Sequence, residues 1–173
     1  MNIKDLHEIT EKLNQSQIQY SLGGSGLLFY LGLIDKVNDW DIVVECPKEK
    51  LIEVLDDLPW TELKSGDYPY ASEFRIHIPT VHIDFIGSFA LQNTKGTVKF
   101  PIENAAIWHG VHVSYPEIWC VAYQMMGREY KADLLLNYLK GNRINIRLML
   151  NFIGNDCLDD QFKQELISVM ERK

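Results

Sequence analysis

Three acidic residues stand in unusually apolar company. Asp39 and Asp41 flank Trp40 and open the run Ile42-Val43-Val44, and Asp84 sits inside Val81-His82-Ile83-Asp84-Phe85-Ile86. Side chains alternate faces along a strand. Asp39 and Asp41 therefore share one face, with Trp40 and Ile42 on the other. By the same rule His82 and Asp84 share a face opposite Ile83 and Phe85. Carboxylates beside a buried sheet are costly unless they are paired, hydrogen-bonded or bound to cations. Three of them on neighbouring strands make an oxygen-rich site suited to Mg²⁺, which is held by a few carboxylates plus phosphate oxygens. Mn²⁺ accepts the same ligand type. Upstream, Gly23-Gly24-Ser25 closes another apolar run, and thirteen residues separate Ser25 from Asp39. A helix that starts behind a glycine turn offers free backbone N–H groups and a positive dipole end to phosphate.

Positioning these residues requires a sheet with helices around it. Ile3, Leu6, Ile9 and Leu13 predict an amphipathic helix over residues 2–15. Residues 17–22 read as a strand entering the glycine turn, where only glycine tolerates the backbone angles. Residues 26–32 read as a short buried helix with Ser25 at its N-cap. A strand over 41–45 follows. A helix begins at Pro47, carries Leu51, Ile52, Val54 and Leu55, and stops before Pro59. Residues 60–64 suit a short strand and 65–72 a loop. Residues 73–78 and 81–86 predict a hairpin that turns at Pro79-Thr80. Weaker strands fall at 97–100 and 111–114. A long helix or helical pair covers 116–140, and helices cover 142–152 and 159–172. The pattern is α/β (α+β): a mixed β-sheet with helices packed mainly on one face, followed by C-terminal helices. Residues 1–115 would form the catalytic part and 116–173 a helical extension packed on it as a single compact unit, walling a substrate cleft.

Leu22-Gly23-Gly24-Ser25, then Asp39-Trp40-Asp41, then Asp84 resembles, in order, the signature of the nucleotidyltransferase superfamily, the fold shared with DNA polymerase beta and many minimal bacterial members. The likeness covers about residues 16–88. It implies transfer of a nucleoside monophosphate from an NTP, ATP foremost, to a hydroxyl of a small-molecule or protein acceptor, with pyrophosphate leaving. It implies that Asp39, Asp41 and Asp84 are catalytic and bind Mg²⁺, and that Asp84 takes the acceptor's proton. It implies that Gly24 and Ser25 hold the nucleotide's phosphates. Gly127-Arg128-Glu129-Tyr130-Lys131-Ala132-Asp133-Leu134 is similar to a helix that follows the catalytic domain in minimal members, whose basic residues face the phosphates. Arg128 and Lys131 are nucleotide-binding candidates on that ground. Ala132 interrupts the family's Lys-Asp pair, and both cations equally suit a solvated helix face.

Bulk properties narrow the class. The chain has 173 residues, room for one core and a small helical part, with 46% hydrophobic and 24% charged residues. Net charge is −7, which disfavours a polynucleotide partner, since such partners select a basic face. No apolar run is long enough to span a bilayer, and the polar start is unlike a signal peptide. Cys46, Cys120 and Cys157 are odd in number and lack paired spacing, which argues for reduced thiols in the cytoplasm and against a disulfide framework or zinc site. His77, His82, His109 and His112 read as half-exposed strand histidines and receive no role. Tyr68, Tyr70 and Phe74 could stack a base, though core packing or loop anchoring explains them as well. Two rival readings remain open: a toxin–antitoxin component, and a non-catalytic nucleotide-binding module.

Overall fold

The computed structural model describes residues 3–63 and 67–171. Residues 64–66, which fall in the expected strand end and loop, lie outside the described residues, as do the extreme ends of the first and last predicted helices. The chain runs α1 (Ile3–Gln15), β1 (Gln19–Leu22), α2 (Gly24–Tyr30), β2 (Trp40–Glu45), α3 (Lys48–Val54), β3 (Thr61–Leu63), β4 (Phe74–Ile78), β5 (Ile83–Gly87), β6 (Ala90–Asn93) and β7 (Gly96–Lys99). It continues through β8 (Asn104–Trp108), β9 (Val111–Ser114), α4 (Pro116–Met125), α5 (Glu129–Gly141), α6 (Ile146–Ile153) and α7 (Asp160–Glu171). This is the expected mixed α/β plan with helices at the C-terminal end.

One seven-stranded sheet carries the order β3-β4-β5-β2-β1-β9-β8, and β6 and β7 form a separate hairpin. β2 pairs in parallel with β5 and β1 in parallel with β9, while the remaining pairings are antiparallel. The centre of the sheet is strongly apolar: Ile42, Val44, Ile76, Ile78, Ile83 and Phe85 are fully buried. The alternation read from the sequence holds on β2, where Trp40 and Ile42 are buried and Asp41 between them is only half-buried. α1 buries Leu6, Ile9 and Leu13, the stripe expected from its periodicity. α2 lies close over the sheet because Gly26 has no side chain: a Cβ there would meet Leu22 at 2.7 Å and Trp40 at 3.0 Å. A stack of Phe100, Phe89 and Trp119, with ring centroids 4.8 and 5.2 Å apart, joins the small hairpin to α4. Among the described residues, no helix is long and apolar enough to cross a membrane.

The structure corrects several local expectations. Ser25 is not an N-cap: Gly23 holds that position and Ser25 lies inside the first turn of α2. His82 is not on β5. It adopts a positive φ of 54° in the turn, and its carbonyl accepts the Trp40 N–H at 2.9 Å. The predicted 116–140 segment is a helical pair broken at Gly127, with φ +66°. α6 starts at Ile146 rather than 142, because Asn145 caps it by accepting the Leu148 N–H. β6 and β8 are additional strands. Both are short, and β8 leaves three of its five residues exposed, so it carries no alternation to read.

Candidate active site

Strand register builds the acidic cluster. In the parallel pairing of β2 with β5, Asp41 stands directly beside Asp84. Asp39 precedes β2 by one residue and completes the group. One carboxylate oxygen from each of Asp39, Asp41 and Asp84 lies within 4.8 Å of the others. The spatial convergence expected of the three acids is therefore present. Like charges this close disfavour one another. Burial, then Asp39, then Asp84, pushes the Asp41 carboxyl up to about 7, against the opposing pull of Arg128 and the Ser25 N–H.

The glycine turn fits against these acids. Gly24 adopts φ +53°, and a Cβ there would lie 1.7 Å from Asp41 Oδ2, so no other residue occupies that place without displacing the carboxylate. Gly23 is equally confined from the other side, where a Cβ would lie 1.9 Å from the Trp119 ring. The Ser25 hydroxyl donates to the Asp39 carbonyl at 2.9 Å, with Asp39 Oδ1 at 3.4 Å. Ser25 thus holds the segment that carries the acids, through its hydroxyl to Asp39 and its N–H to Asp41.

Helix α5 carries two cations within electrostatic reach of the acids. Arg128 is its N-cap residue and Lys131 lies in its first turn. Both act on the acids: Arg128 draws the Asp41 carboxyl downward. Burial, then Arg128, lowers the Lys131 ammonium, and Asp41 and Asp39 partly offset this. Lys131 Nζ lies 5.2 Å from the centroid of the Tyr123 ring. Lys131 is half-buried, whereas Arg128 is exposed.

Two residues of β4 join the site without having been assigned from the sequence. His77 faces Asp84 across the antiparallel hairpin, and its Nδ1 lies 2.5 Å from Asp84 Oδ1. With the ring proton on Nδ1, His77 donates to the carboxylate. Arg75 lies two residues earlier on the same face, with its guanidinium carbon 3.9 Å from the centroid of the Tyr70 ring. Its buried Nε has no partner among the described residues. The Tyr70 hydroxyl donates to Met126 Sδ at 3.5 Å. Hairpin register was the signal that could have found His77: a turn longer than Pro79-Thr80 slides it opposite Asp84.

The donor set fits a hard divalent cation. Three carboxylates in reach of one another, one of them losing its proton only near neutrality, form an anionic cluster that a cation relieves. Asp39, Asp41 and Asp84 are the residues that would hold it.

No protein-family model and no curated protein matches the sequence. Solved structures do. A protein from Thermotoga maritima described as a candidate nucleotidyltransferase aligns over 81% of this chain and 93% of its own, at 18% identity and a TM-score of 0.55. The antibiotic-resistance factor ANT(2'')-Ia, solved in solution, aligns over 80% of this chain and 86% of its own, at 16% identity and a TM-score of 0.56. A crystal structure of ANT(2'')-Ia with adenylyl-2''-tobramycin aligns over 98% and 97%, at 12% identity and a TM-score of 0.55. At these identities the likeness speaks to architecture, and the architecture is that of the nucleotidyltransferase fold.

Proposed function

We propose that this protein is a Mg²⁺-dependent nucleotidyltransferase that moves a nucleoside monophosphate from an NTP, ATP foremost, to a hydroxyl of a small-molecule acceptor. The observation that carries the reading is the convergence of Asp39, Asp41 and Asp84 within 4.8 Å beside the α2 glycine turn. Mg²⁺ held there supplies charge neutralisation for the triphosphate and acidifies a hydroxyl near it; Mn²⁺ is an alternative occupant.

The chain's own residues do the rest. Asp39 and Asp41 supply metal-binding oxygens. Gly24 lets the Asp41 carboxylate pack against the glycine turn at the start of α2, and Ser25 keeps the acid segment in place. Arg128 and Lys131, opposite the acids, offset phosphate charge as pyrophosphate departs. Asp84 accepts the acceptor hydroxyl's proton while His77 engages its Oδ1. The hydroxyl oxygen then bonds to the α-phosphorus, and the bond to the bridging oxygen breaks, with pyrophosphate keeping the electron pair. Positioning and charge compensation provide most of such a rate enhancement.

Two observations support a small acceptor. The net charge of −7 opposes a polynucleotide. The neighbour ANT(2'')-Ia was crystallised with an adenylylated small molecule, tobramycin. The three free cysteines, and NTP as a cytosolic metabolite, support a cytoplasmic setting for the proposed reaction. The test is pyrophosphate release from each of four NTPs, with Mg²⁺ or Mn²⁺, against pooled hydroxyl-bearing metabolites. Release in the wild type, cut about 10²-fold or more in Asp41→Asn, is the expected result. Release that survives unchanged in the variant assigns the activity elsewhere.

A further inference from the structure

One sizeable cavity lies away from the acids. It encloses about 820 Å³ between the end of α2, strand β8, the first turn of α4 and the end of α5. Tyr30, Ala106, Glu117, Tyr138, Arg143 and Asn145 line it, among others. Glu117 is the unusual member. It is 1% exposed, Oε1 accepts the Asn145 N–H at 2.5 Å, and Oε2 has no partner among the described residues.

A purely structural role explains only half of this side chain. Anchoring the Asn145 N–H needs one neutral acceptor oxygen, which glutamine also supplies. A carboxylate adds a charge whose burial is costly without a counter-ion. The N-terminal turn of α4 offsets part of that cost. Among the described residues no cation pairs with this carboxylate. Arg143, at the cavity's edge, is exposed and forms no ion pair among the described residues. A buried carboxylate with one idle oxygen, beside an open cavity with tyrosines on its wall, is a site arranged for a cation brought from outside.

We infer that this cavity binds a small organic cation through its ammonium group, with Glu117 as the counter-ion and the tyrosines packing its apolar part. The place of the cavity gives the inference a functional direction. Helix α2 starts at Gly24 against Asp41 and ends at Tyr30 in the cavity wall. Helix α5 starts beside the acids at Arg128 and Lys131 and reaches the cavity at Tyr138. The α2 path, from Gly24 to Tyr30, is about 9 Å long at 1.5 Å per helical residue. The proposed ligand, seated by its ammonium on Glu117, extends along α2 toward the acids. The identification of this ligand as the acceptor rests on the nucleotidyl-transfer reading; the binding of an organic cation does not.

The experiment uses the full chain without nucleotide or metal, so its outcome is independent of whether transfer occurs. Calorimetric titration compares tyramine with tyrosol, which replaces the ammonium by a hydroxyl on the same ring and linker. The expected result is tyramine binding at least about tenfold tighter, with the ratio falling to near one in Glu117→Gln. Because the buried charge is a cost to the empty protein, Glu117→Gln is expected to melt at the same temperature or higher. Equal binding of the two probes by the wild type overturns the inference, and so does a preference that survives Glu117→Gln. If Glu117→Gln folds poorly, Ala106→Leu decides: it fills the cavity and leaves the carboxyl alone. Weakened tyramine binding in that variant supports the inference, and unchanged binding overturns it.

Discussion

Asp41 carries the largest electrostatic strain in the proposed site, and its sign can be followed through to stability. Its carboxyl releases its proton near 7 in the folded chain and at 3.8 when solvated. Between those values the folded state holds more protons than the unfolded one, so stability falls as pH rises. The cost is absent below the solvated value and complete above about 7. In chelator-treated protein the melting temperature is therefore expected to decline from about pH 4 to pH 7. Asp41→Asn flattens that slope and melts higher at pH 8, by roughly 2–4 °C for each kcal/mol relieved. Scanning calorimetry across pH checks this, and a slope unchanged in the variant refutes it. Gly24 is the steric counterpart. Gly24→Ala places a methyl 1.7 Å from Asp41 Oδ2 at a φ of +53°. A loss of about 1–3 kcal/mol is expected from strain and overpacking, together with weaker Mn²⁺ binding read by electron paramagnetic resonance.

The elements show how far sequence could lead and where it stopped. Alternation along β2 and β5 is a local property, so Asp41 between buried Trp40 and Ile42, and Asp84 between buried Ile83 and Phe85, were legible from residue type alone. Register is not local. The turn between β4 and β5 takes in His82 with a left-handed backbone, and this sets His77 opposite Asp84. Reading a two-residue turn at Pro79-Thr80 put His82 on the strand and left His77 without a purpose. Ser25 misled for a similar reason: its type suits a cap, but its hydroxyl and N–H are taken by Asp39 and Asp41, contacts set by tertiary packing. The exposed edge strand β8 and the cavity behind it had no sequence signal, because neither rests on a buried periodic face. His77 yields a prediction at this scale. Its ring engages Asp84 Oδ1 and leaves the other oxygen available, as outer partners of metal-binding carboxylates do. His77→Ala is expected to fold normally and to bind Mn²⁺ about 10-fold more weakly. Unaltered affinity in a folded variant would remove His77 from the site.

At the scale of the whole molecule, the proposed site draws on the N-terminal half of the chain and on a C-terminal helix. The acids come from β2, β5 and the turn before β2, while Arg128 and Lys131 come from α5. Neither group suits MgATP alone. The acids repel a free triphosphate, and the cations repel a free metal ion. Each ligand cancels the charge that opposes the other, so their binding is coupled, and the coupling acts equally in both directions. A ligand that binds only the folded state raises stability in step with its occupancy. Under the proposed reaction, Mg²⁺ and a non-hydrolysable ATP analogue together are expected to raise the melting temperature by more than the sum of their separate shifts. The excess locates the cationic side of the cleft. Arg128→Ala removes charge that opposes metal and favours phosphate, so the Mn²⁺ shift persists or grows while the nucleotide shift and the excess shrink. Asp39→Asn takes away an anion instead, so the metal shift shrinks first and the excess follows. Strictly additive shifts in the wild type would mean that metal and triphosphate do not meet between these two groups, and the assignment of Arg128 and Lys131 to the phosphates would fail with them.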